Sequence, residues 1–140
     1  MDSRDLEIVK ALVKDARTPL TAIAKQLGVS EAAVRKRLAK LEREGVIEGY
    51  SAKVNPSKLG FTVVALVGVD VAPERYLEVA SQLARLDEVK ALYLTSGDHM
   101  VMMEVWARDG RDLMKFLSEK VSSLPGVLKV CPSIVIDRVK

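Results

Sequence analysis

Ser30 to Glu44 reads SEAAVRKRLAKLERE, and the rest of the chain is arranged around this stretch. Val34, Leu38 and Leu41 fall at i, i+4 and i+7, a narrow apolar stripe on one side of a helix. Lys36, Lys40 and Arg43 point to the far side, with Arg35 and Arg37 on the flanks. Ser30 suits the N-cap, because its hydroxyl can accept a bond from an orphan N–H of the first turn. Gly45 stands where a helix ends in the left-handed conformation. Basic residues on a short helix are by themselves an ordinary solvated face, so the residues before Ser30 decide the reading.

Working back, Leu20, Ile23, Ala24 and Leu27 repeat at helical spacing, and Gly28 closes that run. Thr18 is placed to cap this helix, with Pro19 in its first turn. Further back, Asp2 to Ala16 forms a helix with Leu6, Val9, Leu12 and Val13 on one side. A short helix, a tight turn opening on Gly28 and a longer basic helix make a helix-turn-helix, whose second helix enters the major groove of DNA. Lys36, Arg37 and Lys40 can neutralise phosphates, and Ser30 can hydrogen-bond a phosphate or a base edge. Ala32 and Ala33 keep the leading turn slim enough to approach base pairs.

The charge distribution agrees. Arg17 to Arg43 holds seven basic residues against two acidic ones, whereas Phe61 to the end holds ten against eleven. A polyanionic partner is therefore expected for the N-terminal part alone. The hydrophobic fraction of 49% is that of a globular protein. No run approaches the ~18 apolar residues of a membrane span, and the N-terminus has neither signal nor transit character. A cytoplasmic protein is expected. The one cysteine, Cys131, lies in an apolar run and reads as a buried, inert thiol.

Past Gly45, Val46 to Val54 has strand character, suggesting a winged variant or a connecting strand. Asn55-Pro56-Ser57-Lys58 is a turn, and the domain boundary is expected between residues 60 and 61. From there the pattern is β (Phe61 to Val71), α (Pro73 to Leu86), β (Val89 to Thr95), β (Val101 to Ala107), α (after the cap Asp109), β (Val127 to Val139). Ser96-Gly97-Asp98-His99 is the tip of the central hairpin. This order is the split βαββαβ, ferredoxin-like arrangement, so the fold class is α+β. Two helices cover only one face of such a sheet. Phe61 to Val69, Val101 to Met103 and Ile134 to Ile136 are apolar on both sides, so a dimer packed sheet to sheet is predicted.

With these segments in place the chain resembles the leucine-responsive regulatory protein/asparagine-regulator (Lrp/AsnC) family over essentially its whole length. The resemblance rests on TAIAKQLGVSEAAVRKRLAKLEREGVI, on GYSAKVNPSKLG, and on the SGD hairpin within a βαββαβ domain. It implies a winged-type helix-turn-helix domain over residues 1–60 and, over residues 61–140, a module for the regulation of amino-acid metabolism (RAM). That module is expected to dimerise through its sheet, to assemble further, commonly to octamers, and to bind an amino-acid effector between neighbouring copies. Carried onto this sequence, the recognition helix runs from Ser30 through Glu31, Ala32 and Ala33 to Lys36, Arg37 and Lys40, with Arg37 matching the family's recurrent arginine. The effector loop is Thr95, Ser96, Gly97, Asp98, His99 and Met100.

Family members often read Gly-Asp-Tyr-Asp in that loop, and here Met100 replaces the second carboxylate. The change either abolishes amino-acid binding at the usual place or alters its specificity. Gly97-Asp98 is also plain turn chemistry, satisfied without a ligand, and His99 reads as an incidental turn histidine. No cofactor, metal or membrane partner is expected. With one His, one Cys and no Gly-rich phosphate loop, neither is an enzyme. The leading expectation is a sequence-specific DNA-binding regulator; the alternative is an architectural protein that compacts DNA with little sequence preference.

Overall fold

A computed structural model describes residues 1–140, which divide into two compact units, Met1–Lys53 and Val54–Lys140. The division falls earlier than the expected boundary after Gly60. Asn55 caps a 3-10 turn over Pro56–Leu59, and the Phe61 N–H donates back to the Pro56 carbonyl at 3.0 Å, so this stretch folds as part of the C-terminal unit.

The N-terminal unit holds α1 (Ser3–Lys14), α2 (Leu20–Leu27) and α3 (Glu31–Arg43). Ile8, Leu12, Ile23, Ala24, Val34 and Leu41 form its core, the apolar stripes of all three helices turned inward. Asp2 is the N-cap of α1 and forms a capping box with Asp5. Gly28 ends α2 at φ 67°, in the left-handed region, which lets the chain turn sharply into α3. Thr18 does not cap α2. Its hydroxyl donates to the Asp15 carbonyl at 2.6 Å, finishing α1 instead, and Pro19 occupies the N-cap position with no side-chain bond.

The expected strand over Val46 to Val54 is not formed. Gly45 turns the chain at φ 75°, Ile47 packs against the core, and the residues after it have no strand beside them in this chain with which to build a ladder.

The C-terminal unit runs β1 (Val63–Val71), α4 (Tyr76–Ala84), β2 (Val89–Leu94), β3 (Val101–Ala107), α5 (Gly110–Phe116) and β4 (Val127–Ile134). A 3-10 turn leads into α4, and α5 widens into a π-helical turn over Leu117–Val121. The strand order is β2-β3-β1-β4, and every neighbouring pair is antiparallel. Alternate residues Ala65, Val67, Val69 and Val71 of β1 and Val101, Met103, Val105 and Ala107 of β3 face the helices. There they meet Val79, Leu83, Leu113, Phe116, Leu117 and Val121 in one buried core. Asp109 caps α5 by accepting from the Asp112 N–H, as expected.

β4 stops at Ile134 rather than Val139. The Val135 N–H still reaches the Val64 carbonyl, but β1 begins at Val63, and Ile136 beyond it is 99% exposed. The open face of the sheet is also more mixed than its apolar runs suggest. Cross-strand register puts Val64, Leu66, Met102, Trp106 and Tyr93 on it together with Asp70, Glu104 and Lys129. Trp106 lies 5.9 Å from Phe61, ring centre to ring centre, under the ammonium of Lys90, and donates its indole N–H to Glu104. A half-buried tryptophan needs such a partner for its polar edge.

Candidate nucleic-acid interface and effector loop

α3 begins at Ser30, whose hydroxyl accepts the Ala33 N–H at 3.1 Å. The helix start thus leaves further N–H groups free at its tip, the positive end of its dipole. Ala32 beside them is exposed and Ala33 half-buried, so nothing bulky shields that end. Lys36, Lys40 and Arg43 are exposed along the same helix. Arg35 pairs with Glu31 one turn back at 2.6 Å, and Lys40 stands 4.0 Å from Glu44. Exposed pairs of this kind are worth little and exchange readily for a phosphate.

Arg37 is the exception. Its guanidinium donates to Asp2 at 2.7 Å and Asp5 at 3.0 Å, and Asp5 is the one buried charged residue of the chain. These two carboxylates fasten Arg37, and with it α3, to the start of α1. The neighbouring electrostatics follow from this geometry. The Asp5 N–H, then Arg37, hold the Asp2 carboxyl down at about 2. The Asp2 N–H and Arg37 likewise keep Asp5 below the usual carboxylate range, and the two carboxylates raise Arg37. Sequence reasoning missed Asp2 and Asp5, although their i, i+3 spacing at a helix start is a capping-box signal.

In the C-terminal unit, Thr95 to Met100 connects β2 to β3. The Thr95 N–H donates to the Met100 carbonyl at 2.9 Å, and the Thr95 hydroxyl to the His99 carbonyl at 2.7 Å. The Tyr76 hydroxyl of α4 also donates to the Met100 carbonyl. Ser96, Gly97 and Asp98 form the exposed tip, with Gly97 at φ 144°. Met100 packs partly against the unit's core, and its carbonyl rather than its thioether does the fastening. His99 is not an incidental turn residue. It is half-buried, its Nδ1 lies 3.3 Å from both carboxylate oxygens of Asp70, and its ring sits over Gly68. No group of three or more His, Cys, Asp and Glu side chains converges to hold a metal ion, and no helix is long and apolar enough to cross a membrane.

A capped, slim-tipped basic helix in a three-helix unit, joined to a βαββαβ unit, defines a helix-turn-helix protein with a second, ferredoxin-like module. Comparison with known proteins gives the family. The AsnC-type helix-turn-helix domain matches residues 1–42, and the Lrp/AsnC ligand binding domain matches residues 64–140. The chain is 52% identical over 140 residues to the HTH-type transcriptional regulator LrpA of Pyrococcus horikoshii, and 53% identical to that of Pyrococcus abyssi. Each alignment covers 100% of this chain and 99% of the relative. Among solved structures, Escherichia coli AsnC superposes with a TM-score of 0.88 at 29% identity, covering 100% of this chain and 95% of that one. A transcriptional regulator from Neisseria meningitidis, solved as a complex with L-Met, shares the fold with a TM-score of 0.91 at 20% identity, covering 100% and 92%.

The chain belongs to the Lrp/AsnC family. It is a transcriptional regulator of that type, with a DNA-binding unit and a ligand-binding unit, and not an enzyme.

Proposed function

We propose that the protein works in the cytoplasm as a sequence-specific regulator that reads DNA with α3 and answers to a small amino-acid-like effector at Thr95 to Met100. The reading is carried by α3 itself, which offers Ser30, Glu31, Ala32, Ala33, Lys36, Arg37 and Lys40 to DNA, with Arg37 also bracing the helix against Asp2 and Asp5. Ser30 and the free N–H groups contact a phosphate, the small alanines let the leading turn meet base edges, and the lysines neutralise backbone charge. Two copies joined through the open sheet face, where Leu66 and Tyr93 remain exposed, present two such helices to a pseudo-palindromic site. The match of residues 64–140 to a ligand-binding domain supports the effector. So does the L-Met held by a protein of the same fold.

The deciding experiment is a DNA titration across a range of salt. Replacing Lys36 and Lys40 together by Ala should flatten the plot of log affinity against log salt by about 0.9 for each phosphate no longer neutralised. An unchanged slope removes α3 from the interface. A specific site should bind at least ~10³ times more tightly than random DNA, and a ratio near unity replaces the regulator with a DNA-compacting protein.

A further inference from the structure

β1 leaves a gap that the hairpin tip fills. A Cβ built on Gly68 would stand 2.3 Å from Cδ2 and 2.5 Å from Cγ of the His99 ring, closer than atoms can approach. Gly68 is not among the glycines of positive φ, so its missing side chain serves space rather than backbone conformation. Two residues along the same face, Asp70 meets the ring at Nδ1 from both of its oxygens. His99 is thus seated on one residue of β1 and held by another. Its own carbonyl and that of Met100 are tied at the base of the loop by Thr95 and Tyr76. Between these fastenings only Ser96, Gly97 and Asp98 stand free. A tip containing glycine wanders widely unless it is fastened, and ordering it before a ligand arrives removes that entropy loss from binding.

We infer that His99 is the positioning residue of this loop: its ring, seated over Gly68 and held by Asp70, fixes the path of Gly97 and Asp98 in the conformation that meets the effector. The inference rests on the reading of Thr95 to Met100 as the effector site, and it assigns to the imidazole an ordering task rather than contact with the ligand.

The test is amide hydrogen exchange on the ligand-free protein. The Thr95 amide, bonded to the Met100 carbonyl, reports on the base of the loop. His99→Ala and Gly68→Ala should each speed its exchange at least tenfold while leaving the β3 amides unchanged, the second by driving the ring from its seat. In the His99→Ala background, Gly68→Ala should add nothing, a dependence that a general packing defect would not produce. Each single substitution should also weaken, at least tenfold, the binding of whichever common L-amino acid raises the melting temperature of the unaltered protein. Unchanged Thr95 exchange in His99→Ala, or effects of the two substitutions that simply add, would overturn the inference. A protein whose melting temperature responds to no amino acid overturns the effector reading itself, and exchange on the ligand-free chain still decides whether His99 orders the loop.

Discussion

The guanidinium of Arg37 on α3 and the carboxylate of Asp5 on α1 meet at 3.0 Å across 32 residues of sequence. This contact makes Arg37 a brace between α3 and the start of α1. Arg37→Met leaves the buried Asp5 charge without its partner. The N-terminal unit should then unfold at lower denaturant, with Lys36→Ala at the wild-type midpoint. An Arg37→Met midpoint equal to wild type would remove the brace from the stability of this unit.

The same cluster makes the N-terminal unit acid-sensitive. The ordinary Asp2 value is 3.8 and the folded value about 2, so between them the unfolded chain binds more protons than the folded one. The contribution is complete above 3.8, shrinks as the pH falls through this window and is gone below about 2. Asp5, also lowered, adds in the same direction. Far-ultraviolet dichroism during urea unfolding, repeated down the pH scale, should show Asp2→Asn losing less stability over this window than the unaltered protein.

Substitutions at Ser30 separate folding from the proposed DNA contact. Ser30→Ala removes the bond to the Ala33 N–H and should cost ~1 kcal/mol of stability. Ser30→Asp keeps a good cap but sets a negative charge where a phosphate would approach. It should fold like wild type and bind DNA more weakly, and fluorescence anisotropy with a labelled duplex reads the difference.

Two glycines give opposite lessons about one substitution. At Gly28 nothing lies within 4 Å of an added Cβ, so Gly28→Ala meets only the left-handed backbone and should cost about 1 kcal/mol in chemical denaturation. At Gly68 the backbone is permissive and the obstacle is the His99 ring. For scale, Leu83→Ala in the core of the C-terminal unit should cost ~2–5 kcal/mol, because Leu83 is wholly buried.

Leu66 is 45% exposed in the middle of the open sheet face. Leu66→Lys should shift the sedimenting species towards monomer at micromolar concentration if copies pair there. Unchanged assembly would move the interface elsewhere.

Much of this architecture is legible in the sequence because it is written in periodicity and caps. Ser30, Gly28 and Asp109 act where their chemistry says they should, and the bounds of β3 match the run Val101 to Ala107. Most of what escaped depends on residues far apart in the chain. Val46 to Val54 has strand composition, but composition supplies no neighbouring strand. Thr18 is a local miss: its hydroxyl donates to the Asp15 carbonyl three residues back, ending α1, instead of accepting an N–H of α2. Arg37 and His99 each find carboxylates about thirty residues away, at Asp5 and Asp70. No local pattern around either residue announces the partner.

The chain has a single tryptophan, and it stands on the sheet's open face, tilted against Phe61 with its indole N–H given to Glu104. Its emission therefore comes from the one surface proposed for self-association. Water at the ring shifts that light to the red, and covering the ring shifts it to the blue. The protein thus carries an intrinsic optical probe in which dilution can be tracked without a label, and the N-terminal unit, having no tryptophan, adds no indole background to it.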